Sequence, residues 1–426
     1  MIAVTIDFAR ACRWTLLFAL IIAAALVFRN RGAQSVAFTF PYFSGAANAT
    51  VLYDWNISPS DYQRVKSLPV EQYLAYRHQR TADLHPNTYN NYGYVLVVLL
   101  ARTIFWWMGD GNAVVCLQIL VHAAISLAIV RLLGTPVRRW SFVILYAVNP
   151  LVLHVVTFPY YYFWAVVPCF VFAYWALGGA PRMIWIVPGA IFLFFFGFLI
   201  RPPTLFVCLL AFGLLFWRGR RLSAAIGICA FAALQFQAGG HFYTSPWHTA
   251  YIGIGAYPNP YGIEKPLDSA GFDFYRKTTG REMTSNPIDG SFQDSQQRDR
   301  YWSALRARYL EILAGSPILI ARNAALNLVQ SFGVGYDVDR RWVVVPSMLM
   351  GLGMIALILL SRQWMWGLGI LAYAAGFAAY FPPIPAYLFG AYLFIALAGG
   401  GIIEDLRQRW VRHHKSLQFI STDVAG

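Results

Sequence analysis

The sequence predicts an all-α integral membrane protein with about ten spanning helices and two long outer loops that carry juxtamembrane helices. Three observations carry this reading. Of 426 residues, 58% are hydrophobic and only 12% are charged. Soluble chains carry about a quarter charged residues, so a soluble core could not hide this much apolar surface. Apolar runs recur along the chain, separated by short Pro or Gly breaks such as Gly134-Thr135-Pro136 and Pro202-Pro203. The basic clusters fall on one side of a membrane once a single run is kept out of it, as cytoplasmic loops require.

The first run, 14–28, follows Arg10 and Arg13. Arg29, Asn30 and Arg31 come directly after it instead of a small-residue cleavage site, so it reads as an uncleaved first span. Further runs lie near 93–108, 113–133, 140–157, 160–177, 183–200, 203–217, 222–239, 343–360, 364–380 and 384–402. The run 93–108 is the exception. Its sixteen residues make a helix of only ~24 Å; it carries Arg102 and ends in Phe105-Trp106-Trp107. It is assigned to the interface, parallel to the membrane. Arg10/Arg13, Arg138/Arg139, Arg182, Arg218/Arg220/Arg221, Arg362 and Arg407/Arg409/Arg412 then share the cytoplasmic side, with both termini.

This divides the chain into 1–239, with the first outer loop at 29–112; 240–342, the second outer loop; and 343–426, the last spans and a basic tail. The formal charge of +14 is explained by these topological arginines. Membrane lipids are therefore expected partners. Nucleic acid is not, since no soluble domain is left to bind it. Cys12, Cys116, Cys169, Cys208 and Cys229 lie in or beside apolar runs, so neither a disulfide framework nor a Cys-rich metal site is expected.

In the first loop, Ser58-Pro59-Ser60-Asp61 is a helix start: a Ser cap, Pro at the first position, an acid at the third. The helix is expected to pass Tyr62, Val65 and Leu68 and to kink at Pro69. In the second loop, Tyr301, Trp302, Leu305, Tyr309 and Ile312 recur at helical spacing with arginines between them. That predicts an amphipathic surface helix over 298–314, ended by Gly315 and Pro317. The mildly apolar run 317–333 is expected to lie in the interface, packed on protein.

The layout has a precedent. Asp54 with Tyr62 in the loop after the first span, the Asn91-Tyr92-Gly93-Tyr94 lead into the juxtamembrane run, and Leu199-Ile200-Arg201-Pro202 are local motifs within it. Over about the first half of the chain this resembles the GT-C superfamily of membrane glycosyltransferases, in particular bacterial relatives of protein mannosyltransferases and aminoarabinose transferases. The resemblance implies a polyprenyl-phosphate sugar as donor and a glycan, lipid or protein acceptor. It also implies a bacterial inner membrane with the active face outward. An outer-loop carboxylate would act as general base, within hydrogen-bond reach of the acceptor hydroxyl. Asp54 is the first choice for that base and Asp61 the second, although an acid in a first helical turn also suits the helix dipole. Arg201, after an apolar span and before Pro-Pro, suits the departing phosphate with its planar fork of donors. Tyr94 joins the substrate-binding residues through its motif.

His241 and His248 open the second loop; proton transfer, phosphate contact or a metal would each suit them. His85, near Asp83, could orient an acceptor. His122 and His154, inside spans, read as core histidines. No metal site is assigned. Asp337-Val338-Asp339 matches a short metal-dependent transferase pattern, but Arg340 and Arg341 follow directly and favour local charge pairing. The cofactor is left unspecified, with a divalent cation open. A polysaccharide polymerase or O-antigen ligase would instead place the chemistry on His241, His248 and the arginines of 298–308. A lipid or solute transporter would show repeated halves, and no repeat is evident.

Overall fold

The computed structural model describes residues 2–28, 36–49, 56–86, 92–178, 181–238, 245–283 and 294–423. Within them the chain is all-α apart from one short antiparallel ladder, β1 (Asn56–Ile57) against β2 (His85–Pro86). The first part runs through α1 (Ile2–Val27), α2 (Val36–Asn48), α3 (Pro59–Val65), α4 (Val70–Ala75), α5 (Tyr92–Ile104) and α6 (Asp110–Leu132). It continues through α7 (Pro136–Phe142), α8 (Pro150–Val156), α9 (Val166–Gly178), α10 (Ile186–Phe194), α11 (Leu205–Trp217) and α12 (Arg221–Ala238). The second-loop region holds α13 (Trp247–Gly253), α14 (Asp268–Thr279), α15 (Ser295–Gly315) and α16 (Pro317–Gln330). The chain closes with α17 (Val344–Leu360), α18 (Trp364–Ala375) and the long α19 (Phe389–Asp423).

Among the described residues, four helical segments are long and apolar enough to cross a bilayer: Asp110–Leu132, Tyr161–Gly178, Met183–Ile200 and Phe389–His414. The bent pairs Pro136–Ala147 with Pro150–Val156 and Ser295–Gly315 with Pro317–Gln330 raise this to six if each crosses as one. The run expected to cross at 14–28 is the apolar end of the 26-residue α1, and those at 203–217, 222–239, 343–360 and 364–380 are apolar helices of 10–17 residues. At 1.5 Å per residue such helices fall short of the ~30 Å hydrocarbon core. These apolar helices are compatible with a membrane protein. The run 93–108, expected in the interface, forms α5, which buries Tyr94, Val95, Val98 and Ala101 and exposes Leu100 and Ile104.

Local chemistry accounts for the elements of the first loop. Ser58 caps α3 by accepting from Asp61 N at 3.1 Å, as its sequence predicts. The helix stops at Val65 instead of kinking on through Leu68, and α4 begins only after Pro69. The apolar helix α2, with Pro41 inside it, stands within what reads from sequence as loop. A buried polar network then fixes the segment. Asp61 Oδ1 accepts from the Tyr76 hydroxyl at 2.7 Å, and its Oδ2 meets His78 Nδ1 at 2.5 Å. Asp110 Oδ2 accepts from His78 N and pairs with Arg102, whose Nη2 donates to His78 O.

In the second-loop region, α15 is capped by Asp294, which accepts from Gln296 N and Gln297 N. Its predicted stripe, Tyr301, Trp302, Leu305, Tyr309 and Ile312, is buried. That stripe packs against α13 and α14 in a small core of its own, so protein covers it and the helix is not simply laid on a surface. Gly280 ends α14 in the left-handed conformation, its N–H donating to Arg276 O.

Candidate functional site

A cavity of about 1100 Å³ lies between this small core and the larger helix bundle. That exceeds the ~300–1,000 Å³ of ordinary small-ligand pockets and leaves room for two reactants. One flank is apolar: Phe38 of α2 with Leu151 and Val155 of α8. Phe38 and Leu151 also reach the surface of the bundle, 44% and 55% exposed. The floor is a 3₁₀ turn, Tyr161–Ala165, with Tyr160 preceding it and Tyr387 beside it. The opposite wall is polar and comes from the second-loop region: His248 of α13, Asp268 and Ser269 of α14, and Arg298 of α15.

His248 and Asp268 form a built pair. His248 Nε2 lies 3.1 Å from Asp268 Oδ1, and its Nδ1 lies 2.5 Å from the Tyr301 hydroxyl. A carboxylate only accepts, so Nε2 carries the proton toward Asp268. Tyr301 is fully buried, and burial pushes its hydroxyl far above the usual phenol range. It stays protonated and fixes the ring. Burial pushes the Asp268 carboxyl upward, but the hydrogen bond and field of His248 outweigh it and hold the group below its ordinary value. Asp268 opens α14, where the helix dipole also favours a negative charge. Its side chain is 50% exposed, so the second carboxylate oxygen is available to a hydroxyl in the cavity. Gly271, one turn on, makes the pair possible: a Cβ there would lie 2.6 Å from the Tyr301 hydroxyl and 3.1 Å from His248 Nδ1. Arg298 lies over the Trp302 ring at 5.0 Å, and its Nε is 3.8 Å from the Asp299 carboxylate, too far for a hydrogen bond.

Arg201 stands beneath the floor. It follows a π turn, Phe195–Ile200, and precedes Pro202, and a residue before Pro avoids the helical conformation. The chain therefore breaks there, at φ −138° and ψ 77°. The side chain is only 7% exposed, with its guanidinium 4.5 Å from the Tyr387 ring, 4.8 Å from Tyr162 and 5.5 Å from Tyr161. All three rings line the cavity. Tyrosines face the charge where a carboxylate would be expected, and Tyr373 is among them. Nε and Nη2 complete no hydrogen bond among the described residues. A buried cation held by ring faces and the Tyr373 hydroxyl is costly and is suited to meet an anion.

The remaining candidates lie elsewhere. Asp54 and His241 fall outside the described residues. Asp61 is 1% exposed, has both oxygens engaged and does not line the cavity. Burial pushes its carboxyl upward, yet His78, Tyr76 and Arg64 together hold it below its usual value, so the geometry gives it a structural place. His85 is an exposed residue of β2 away from the cavity, and neighbouring Asp83 instead accepts from Ser58 Oγ and Ser60 N. Tyr94 is fully buried, edge-on to Tyr42 and Tyr161, which line the cavity, but it does not reach the cavity itself.

His122 is a core histidine bonded to Ala147 O at 2.9 Å. His154 is not: it is exposed and lines the cavity, because α8 turns that face outward from the bundle. Asp337 caps its own turn, accepting from Asp339 N and Arg340 N. Among the described residues no three His, Cys, Asp or Glu side chains gather as a metal site. Sequence reading missed Asp268, whose partner His248 is twenty residues away across a loop. The Pro266-Leu267-Asp268 helix start was its only local signal.

Set against known proteins, the chain matches no family model, no curated protein and no solved structure.

Proposed function

We propose that this protein is a membrane glycosyltransferase of about ten spans, with both termini in the cytoplasm and its two loops on the outer face of a bacterial inner membrane. It moves a sugar from a polyprenyl-phosphate donor to an envelope acceptor. One observation carries the reading: a single cavity joins an apolar flank, open at the bundle surface, to a wall bearing a carboxylate–histidine pair and an arginine. An amphipathic donor needs both sides, the flank for its tail and the cations for its phosphate.

In this reading Asp268 takes the proton of the acceptor hydroxyl as that oxygen attacks the anomeric carbon. The bond from that carbon to the phosphate oxygen breaks, and the phosphate leaves with the electron pair. Arg298, and Arg201 through the tyrosine floor, meet the growing negative charge. His248 holds the carboxylate by donating from Nε2. The general base is thus still an outer-loop aspartate, but in the second loop. That location also favours the runner-up, a polymerase or ligase that joins longer glycans at the same pair. The two readings differ in whether the donor carries one sugar or many.

The test is transfer by the purified protein in native lipids from a panel of polyprenyl-phosphate sugars, bearing one residue or several. Transfer of single sugars supports the first reading, and transfer only of preassembled chains supports the second. The pH profile gives a further check. Asp268 works in its charged form and its carboxyl lies below the ordinary value of ~3.9. Transfer should therefore persist as pH falls to about 4 and fail below it. His248→Ala removes the group that lowers Asp268 and leaves burial, so the acid limb of kcat/KM should move upward.

Arg201→Met is expected to leave the fold as stable or more so, since it removes a buried charge that no carboxylate among the described residues neutralises. It should weaken polyprenyl-phosphate binding by about fivefold, because the charge acts on the phosphate across the tyrosine floor and not through a direct hydrogen bond. Thermal unfolding and a binding titration read the two effects separately.

A further inference from the structure

A second cavity, of about 630 Å³, shares Leu267 and Ser269 with the first. It then follows α14 along Ala270, Asp273, Phe274 and Lys277, and is closed by residues 261–265 and by Arg308 and Glu311 of α15. Its charges cancel: Lys265, Lys277 and Arg308 face Glu264, Asp273 and Glu311. Arg308 is already paired with Glu311 at 2.8 Å. Such a wall has no net pull on a phosphate or a cation, and it is too polar for a lipid tail. It does hold flat aromatic surface. Tyr251 and Phe274 lie 5.1 Å apart, and Tyr261 lies beneath Arg308. Dense donors and acceptors beside aromatic faces match a neutral polyhydroxylated ring, whose hydroxyls bond around its edge while its C–H face lies on an aromatic ring. A peptide would usually add to a strand edge or fill an apolar groove, and this wall presents neither.

We propose that the second cavity binds a neutral oligosaccharide, which the shared Leu267 and Ser269 edge leads to Asp268. Its role as the acceptor rests on the glycosyl-transfer reading; the binding itself does not.

The experiment applies the full-length protein in lipid nanodiscs to an array of neutral oligosaccharides, anionic oligosaccharides and peptides. The comparison is the double variant Asp273→Ala/Lys277→Ala. Both positions are exposed on one face of α14, and the Asp273–Arg276 pair lost is a surface one, so the fold should hold. Neutral oligosaccharides should bind, and the double variant should bind them about tenfold more weakly. Binding of only anionic glycans or peptides, no glycan binding, or binding unchanged in the double variant would overturn the inference. Oligosaccharide binding by a protein that transfers no sugar would uphold this site and sink the transferase reading. Transfer without oligosaccharide binding would do the reverse.

Discussion

Asp268→Asn is expected to reduce sugar transfer by about 10²–10⁴-fold, the usual contribution of a positioned general base. The amide keeps the shape and can still accept from His248 Nε2, so the pair, the wall of α14 and the Tyr301 bond should persist. The side chain is half exposed and the amide fills the same space, so unfolding should be nearly unchanged. Loss of kcat with little change in donor binding is the pattern of a group acting in the transition state. Asp61→Asn, by contrast, should act through the fold, because both Asp61 oxygens hold buried partners. The measurement is initial-rate transfer beside thermal unfolding for each variant. Transfer surviving in Asp268→Asn at near the wild-type rate would remove this residue from the chemistry.

Arg102→Ala is expected to cost about 3–5 kcal/mol of stability, as when one partner of a buried pair is removed. Asp110 has no exposed side-chain surface and opens α6, while Arg102 ties α5 to it and to His78 O. Without Arg102 the carboxylate stays buried, answered by the hydrogen bond from His78 N and the more distant charge of Arg77. A double variant, Arg102→Met with Asp110→Asn, leaves no buried charge and keeps an acceptor for His78 N, so it should regain most of the loss. Thermal unfolding of the protein in lipid nanodiscs checks both. No recovery in the double variant would mean that packing, not charge, sets the cost.

Much of the helical architecture is legible in the sequence because it rests on short-range rules. The Ser58 cap, the stripe from Tyr301 to Ile312 and the Gly315–Pro317 stop are each set within one or two helical turns. What is less legible depends on length and on distance. Apolar composition alone does not say whether runs such as 203–217 make a full crossing, and in the fold they are helices of 10–17 residues. Pro41 and Gly45 hide α2, whose burial against α5 overrides its weak propensity. The site is the least legible part. His248 can be picked out as a loop histidine, but its partners Asp268 and Tyr301 are brought to it only by the packing of α13, α14 and α15. Arg201 is visible as a cation at the end of an apolar run. That tyrosines surround it follows from the return of residues 381–388 over the floor.

In the proposed function a polyprenyl phosphate lodges in the large cavity, its tail along α8 and its phosphate toward the arginines. The most direct measurement is photocrosslinking of the wild-type protein in nanodiscs with a polyprenyl phosphate carrying a photoreactive group near the phosphate, followed by peptide mapping. The Tyr161–Ala165 turn and the segments around Asp268 and Arg298 should be labelled, with competition by unlabelled polyprenyl phosphate and a reduction in Arg298→Ala. Labelling confined to the first-loop segment around Asp61, or spread over the helices without competition, would contradict that placement.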